Sequence, residues 1–484
     1  MYTINDYKDK IIDIEKLISL IEPGNKIYLT SGSAIPAKAV NEILSSEDLY
    51  DYDLEIIQLF TLGDFFTRDT GSNQKYRLNT FKTGESASGH SNLGNRDFIP
   101  SNLVEIPSIF SSGAIEVDVA IITVSPPDER GYMSLGVAID VAKLAIKNAS
   151  IVILEVNPNM PVTYGDTTVH IDQVDHVIEG DVPLIERKSA SFGPMLDRIG
   201  WHISNLIEDG STLVLHAGRI FDAVAHHARY KKKLCVFTNV VSDWVIDLIE
   251  SGSISRDRER EKGGLVTTSY CFGTKQLYDY VDRNQTFGFY PASRLADPRR
   301  IRRISNLVSI MNIEKIDITA GTVSFHKGDD LLSGFESKFH FAVGAAATRN
   351  GKVIFAVRSI DRKGKSNIVI YHNQDNNRLR STLGIARYVV TEHGVANMFG
   401  KSIRERVLAM IDIAHPDHKE ELLRQAKEFG YVYPDQIYSI ENAANYPIEL
   451  ETLKTFKDGL DLKIRPIKPT DEDMMRRLFY KFSD

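Results

Sequence analysis

The feature that most constrains this chain is a unit it uses twice. Leu20-Ile21-Glu22-Pro23-Gly24 leads into the apolar run Ile27-Tyr28-Leu29, then Gly32, then a helix-like stretch from Pro36 to Leu44. Leu206-Ile207-Glu208-Asp209-Gly210 leads into Leu213-Val214-Leu215, then Gly218, then a helix-like stretch from Asp222 to Tyr230. The interval from Gly24 to Gly32 equals that from Gly210 to Gly218. In each copy a helix ends on a glycine, a short buried strand follows, and a second glycine turns the chain into another helix. A further apolar run comes next, Leu54–Phe60 in the first copy and Leu234–Val241 in the second. Strands that alternate with helices in this way specify parallel sheets with helical crossovers.

Other apolar runs extend the pattern: Val117–Val124, Ile151–Val156, Ile316–Thr319, Val353–Val357, Asn367–Tyr371 and Tyr388–Thr391. Gly136–Ala149 reads as an amphipathic helix, with Ala138, Val141, Ala142 and Ala145 on one face. Ile403–Ala414 reads as another, opened by Ser402 as N-cap. The fold class is α/β, two related open α/β/α halves with parallel-rich sheets. Asp181–Ser191 is the expected linker, dividing the chain into 1–190, 191–440 and a tail at 441–484.

A chain of 484 residues supports more than one core. A net charge of −7 and a pI near 6.0 argue against a polyanion-binding surface, so nucleic acid is not an expected partner. The basic runs Lys231-Lys232-Lys233 and Arg299-Arg300-Ile301-Arg302-Arg303 read as solvated faces. Two cysteines, Cys235 and Cys271, exclude a disulfide scaffold and a thiolate zinc site and fit a reducing compartment. The first residues lack the apolar core of a signal peptide, and no run reaches membrane-span length. A cytoplasmic protein that does not contact a membrane is expected.

Several long motifs then narrow the reading. Ser125-Pro126-Pro127-Asp128-Glu129-Arg130-Gly131-Tyr132-Met133-Ser134-Leu135-Gly136 is similar to an SPPDEHGYCSLG loop, and Glu155-Val156-Asn157-Pro158-Asn159-Met160-Pro161 to EVNPQMP. Thr391-Glu392-His393-Gly394-Val395-Ala396 is similar to TEYGVA, Gly400–Arg406 to GKSLRER, and Ile413–Asp417 to the start of IAHPDF. These are motifs of the acetyl-CoA hydrolase / 4-hydroxybutyrate CoA-transferase family, which the chain resembles from about Leu20 to about Arg424. The segment Leu234–Glu250, LCVFTNVVSDWVIDLIE, registers without a gap on that family's LGIHTEMFSDGVVDLIE. The resemblance implies two halves of CoA-transferase type, an active site between them, a homodimer or larger assembly, and acyl-CoA or CoA with a small carboxylate as partners. No cofactor beyond coenzyme A and no metal are implied.

The implied reaction needs one free carboxylate and glycine-rich turns. A glutamate attacks the thioester carbonyl and expels the CoA thiolate, leaving an acyl-glutamyl anhydride. The thiolate attacks the glutamyl carbonyl, breaking the anhydride and releasing the acyl group as its carboxylate to leave a glutamyl-CoA thioester, and a second carboxylate reverses the steps. Backbone amides of glycine turns stabilise the oxyanions. This chain departs at each part. Asn239 occupies the glutamate position, and an amide cannot form the anhydride. LVLHAGRIFDAV, residues 213–224, stands against the family's LQLGIGRIPDAV, which places His216 and Gly218 at the first turn. Gly334–Phe341 stands against GIGGQVDF, with Glu336 and Ser337 in place of its glycine pair. The catalytic position is therefore Asn239. Glu336 is a new carboxylate that introduces a thioesterase alternative, in which it serves as nucleophile or as general base for water. His216, Gly218, Gly334, Ser337, Glu392 and Gly394 are the expected substrate- and CoA-binding positions. Read as residues alone, Glu392 after a strand is a ligand for neighbouring backbone amides, Asn157 fixes its loop, and His216 packs or hydrogen-bonds.

Leu462–Asp484 resembles the opening strand and helix of a GNAT acetyltransferase domain, so a GNAT module or partner is expected beside the alternative of an ordinary C-terminal helix. Three functional readings follow: an active acyl-CoA:carboxylate CoA-transferase, an acyl-CoA-binding protein without transfer activity, and a thioesterase using Glu336.

Overall fold

The computed structural model describes residues 7–63, 65–66, 76–81, 96–254, 265–321, 323–324, 338–370, 384–436, 450–455, 461–467 and 471–482. Two open sheets carry the fold. The first contains β1 (Lys26–Leu29), β2 (Leu54–Gln58), β3 (Tyr76–Thr80), β4 (Arg96–Phe98), β5 (Val119–Val124), β6 (Ile151–Val156) and β7 (His176–Glu179), in the order β4-β3-β2-β1-β5-β6-β7. The second contains β8 (Thr212–Val214), β9 (Cys235–Phe237), β10 (Val266–Thr268), β11 (Phe287–Phe289), β12 (Leu307–Asn312), β13 (Lys352–Ala356), β14 (Tyr388–Thr391) and β15 (Gly394–Asn397). Its order is β11-β10-β9-β8-β12-β13-β14-β15. Counted from the start of each half, the two orders agree through the seventh strand. Neighbours run parallel except in the closing β14–β15 hairpin.

The repeat extends to single hydrogen bonds. Gly24 and Gly210 have φ of +80° and +77°. The Gly24 amide donates to Tyr52 O at 2.6 Å and the Gly210 amide to Lys232 O at 2.8 Å, each just before the next strand. The residue after each glycine closes the turn: Asn25 Oδ1 accepts from Glu22 N at 2.8 Å, and Ser211 Oγ from Glu208 N at 3.2 Å. The copies part at the second glycine. Gly218 opens the helix Arg219–Ala228 directly, whereas Gly32 begins a 3₁₀ turn and the helix waits until Ala37–Ser45.

Both faces of these sheets are buried, which is why their strands read as continuous apolar runs. Along β1, Ile27 and Leu29 enter one core and Tyr28 the other. The Tyr28 core also holds Leu215, Val241, Trp244, Phe272 and Phe289 of the second half, so one apolar interior crosses both halves.

Two expectations are corrected by that junction. The Gly136–Ala149 helix is confined to Ala142–Asn148. Its first residues are spent on the seam: Val137 O accepts from Cys271 N at 2.9 Å, Ile139 N donates to Ser269 O at 3.2 Å, and Ala138 bridges Tyr270. Backbone groups committed across the seam are not free to close a helix. The run Leu234–Val241 is likewise two strands, β9 and Val240–Val241, the latter paired with Tyr270–Cys271. Thr238 N still pairs with Thr267 O, and the ladder changes partner at Asn239, whose carbonyl accepts from Ser269 N and Tyr270 N. Ile403–Asp412 forms as a helix, with Ser402 and Glu405 closing a reciprocal capping box.

Candidate active site

In a parallel sheet, ligand contacts gather beyond the carboxyl ends of the strands, where neighbouring strands connect in opposite directions. In the second half that point lies between β8 and β12, and His216 stands just past β8. Asn239 follows the end of the adjacent β9. Its carbonyl is pinned by three donors: Tyr270 N at 2.8 Å, Ser269 N at 3.1 Å and Thr268 Oγ1 at 3.2 Å. The residue is 2% exposed, and neither Oδ1 nor Nδ2 has a hydrogen-bond partner among the described residues. Ser242 Oγ, also buried, is in the same condition. A buried amide left this way costs about 1–3 kcal/mol, a cost that a fold accepts where a ligand or a function uses the group.

His216 is buried, with its ring edge-on to Phe221 at 5.5 Å and to Phe341 at 6.2 Å between centroids. Its carbonyl accepts from Trp244 Nε1 at 3.0 Å. Gly218 has φ +138° and ψ 155°, a region essentially closed to residues with a Cβ, so the turn after β8 requires glycine there. Asp243 of the same motif anchors the next helix: its Oδ1 accepts from Thr274 N at 3.0 Å and Thr274 Oγ1 at 2.8 Å.

Of the remaining expected residues, Glu392 and Gly394 do not gather at this point. Glu392 and Gly394 follow β14, four strand spacings or roughly 19 Å across the sheet from β9. Glu392 is bonded to Ser359, with Oε2 accepting from its N at 3.0 Å and Oε1 from its Oγ at 2.6 Å. Gly334, Glu336 and Ser337 lie outside the described residues. Asn157 holds its loop, with Nδ2 donating to Val182 O at 2.7 Å and Oδ1 accepting from Asn159 N at 2.9 Å. The SPPDERGY and NPNMP loops, together with the helix Lys275–Val281, line a cavity of about 670 Å³ at the carboxyl ends of β5 and β6.

On the first-half side of the junction lies Asp140, a fully buried carboxylate at φ +52°. Oδ2 accepts from Ser31 N at 3.1 Å and Oδ1 from Tyr270 OH at 3.2 Å, with the Tyr28 hydroxyl close by. Ser31 follows β1, and Tyr270 N is bonded to Asn239 O, so Asp140 ties the first-half strand end to the segment carrying Asn239. Burial raises its pKa from 3.8 to about 6, against the pull of the hydrogen bonds it accepts. The folded chain therefore keeps a proton that the unfolded chain releases near 3.8. Stability falls as pH rises through that window, by on the order of 3 kcal/mol from this group. Glu155, also raised by burial, acts in the same direction. Asp140→Asn stays neutral and is expected to flatten the profile between about pH 4 and about pH 6. Urea unfolding across that range checks this, and an unchanged slope would count against it.

Comparison with known proteins gives the site its context. The sequence profile of the acetyl-CoA hydrolase/transferase N-terminal domain matches residues 1–186, and that of the C-terminal domain matches residues 273–426. The chain is 34% identical over 422 residues to a 4-hydroxybutyrate coenzyme A transferase of Clostridium kluyveri, covering 87% of this chain and 98% of that one. The chain belongs to the acetyl-CoA hydrolase/transferase family. It is also 31% identical to a succinyl-CoA:acetate/propanoyl-CoA:succinate CoA transferase of Fasciola hepatica, covering 87% of this chain and 89% of the relative. Among solved structures, RipA from Yersinia pestis superposes with a TM-score of 0.81 at 27% identity, covering 89% of this chain and all of that one. A 4-hydroxybutyrate CoA-transferase from Porphyromonas gingivalis superposes with a TM-score of 0.71 at 27% identity, over 88% of this chain and 100% of that one.

Membership in this family accords with a CoA substrate. Among the described residues no group of three or more His, Cys, Asp or Glu side chains is placed to hold a metal, and no helix is long and apolar enough to cross a membrane. Two site residues escaped the sequence reading. Trp244 had a signal: it stands against a glycine of the motif, between Ser242-Asp243 and Val245. Asp140 had none, since its partners Ser31 and Tyr270 are distant in the chain.

The tail forms a strand, Asp461–Ile464, and a helix, Glu472–Phe479. Arg465 clamps the turn between them through a two-point pair with Asp471, at 2.6 and 2.8 Å. Met474, Leu478 and Phe479 are exposed, so the helix does not bury an apolar face against the described second half.

Proposed function

We propose that this chain binds acyl-CoA at the carboxyl ends of β8 and β9 and does not carry out CoA transfer through a glutamyl-CoA intermediate. The observation that carries the reading is Asn239, an amide at the position where the family motif has its nucleophilic glutamate. Its nitrogen lone pair is delocalised and its oxygen carries no full charge, so it cannot displace CoA from a thioester. Its burial with both side-chain polar atoms unpartnered supports a retained binding role for the site. Relaxation at His216 and at the Glu336-Ser337 turn supports the loss of the oxyanion geometry as well. The same reading has the chain acting in the cytoplasm as a homodimer or larger, with a GNAT module as a partner of the tail.

A second reading, an active CoA-transferase, is favoured by the 34% identity to the Clostridium kluyveri enzyme. Isotope exchange between acetyl-CoA and labelled acetate separates the two. No exchange is expected, together with measurable binding of CoA esters by calorimetry. Exchange at about 1 per second or faster would overturn the proposal.

A further inference from the structure

One buried acid is bonded to the segment that carries Asn239. Asp140 sits at φ +52°, a region that residues with a side chain seldom adopt, so the seam holds it there against its backbone preference. Its oxygens reach two elements: Oδ2 accepts from Ser31 N beyond β1 at 3.1 Å, and Oδ1 accepts from Tyr270 OH at 3.2 Å. The buried Tyr270 ring packs against Phe60 at 5.1 Å and Phe272 at 5.7 Å between centroids. In a close-packed interior such a ring does not swing alone; its main chain moves with it. That main chain is tied to the candidate site, with Tyr270 N donating to Asn239 O at 2.8 Å and Phe272 N to Val241 O at 3.0 Å.

The contacts around Asp140 are those of an uncharged acid. The 3.2 Å to Tyr270 OH exceeds the spacing of about 2.5–2.7 Å that a hydroxyl takes on a carboxylate. The Tyr28 hydroxyl, also buried and near the same carboxyl, has no hydrogen bond of full geometry among the described residues. Loss of the proton would leave a buried charge that only accepts, with these two phenols as its remaining donors. Other titratable groups nearby do not offset it. Cys271 is kept a neutral thiol by burial and then by Asp243, and Lys143, on the helix that follows Asp140, pairs with Asp166. We propose that Asp140 is a positioning residue for Asn239: loss of its proton draws the Tyr28 and Tyr270 hydroxyls inward, and the Tyr270 main chain carries Asn239 with it. The carboxyl end of β1 and the segment after β9 are thereby coupled by a pH-sensitive contact, whatever ligand the site takes.

The test is NMR of the full chain labelled with nitrogen-15 asparagine, the Asn239 carboxamide signals being those absent from Asn239→Ala. In the wild type these signals are expected to shift with a midpoint at about pH 6, where burial places the Asp140 proton. In Asp140→Asn, which stays neutral, the shift is expected to be lost. Tyr270→Phe keeps the ring between Phe60 and Phe272 and removes only the hydroxyl. In that variant Asp140 still titrates, seen as a retained pH dependence of urea unfolding, while the Asn239 signals no longer follow it. A merely structural role for Asp140 would not produce that split, and the Tyr270→Phe result stands even where Asp140→Asn does not fold. Asn239 signals that stay fixed across the range in the wild type would overturn the proposal. So would a shift of wild-type size in Asp140→Asn or in Tyr270→Phe.

Discussion

Asn239→Glu is expected to raise label exchange between acetyl-CoA and acetate above that of the wild type, and the gain should be largest when the glycine pair is restored with Glu336→Gly and Ser337→Gly. A carboxylate at 239 can attack the thioester, release the thiolate, and take CoA back as a glutamyl thioester. The single variant has the nucleophile without the second glycine turn. Glycine lets the main chain approach the oxyanion closely, and a poorly placed donor lowers turnover by about a hundredfold to a thousandfold, so the single variant should be slower than the triple variant by that order. Mass spectrometry after incubation with acetyl-CoA should show a covalent CoA adduct in the variants and none in the wild type. An equally inert triple variant would mean that the rings around His216, and not the missing carboxylate, block the reaction.

The second large effect is structural. Gly165→Ala is expected to destabilise the fold by about 3 kcal/mol or more. Gly165 has φ +123°, and a Cβ built there meets Phe289 O at 2.1 Å and Phe289 N at 2.7 Å. Those atoms belong to the seam, where Phe289 N donates to Tyr164 O at 2.7 Å and Asp166 N donates to Phe289 O at 2.8 Å. A methyl group must push the halves apart as well as strain the backbone, and the two costs add. Gly113→Ala is the comparison. Its φ of +76° is also unfavourable, but nothing lies within 4 Å of the added Cβ. Only the conformational cost remains, about 1 kcal/mol. Chemical denaturation of both variants measures the difference, and equal losses would show that the seam yields to a methyl group.

Much of this molecule was legible in its residues because its rules are local. Buried parallel strands need short apolar runs, and Ile151–Val156 and Tyr388–Thr391 form at the bounds their composition marks. A strand ending in glycine and followed by a helix reads the same wherever it occurs, so the repeated opening exposed a repeated topology. Ser402 and Glu405 cap their helix because both partners lie within one turn.

What only the tertiary structure decided depends on contacts between residues far apart in sequence. Gly136–Ile139 has helical periodicity, but bonds to Ser269 and Cys271 hold it in a turn and a bridge across the seam. Leu234–Val241 is apolar enough for one strand, but it divides at Asn239, whose carbonyl is taken by Ser269 N and Tyr270 N. Asp140 is an ordinary aspartate in sequence and a buried carboxylic acid in the fold, because the seam encloses it. Glu392 and Asn239 share the carboxyl edge of one sheet, yet the strand order separates them by roughly 19 Å. Sequence fixes which groups a segment offers; which of them meet, and whether water reaches them, depends on how the two halves close.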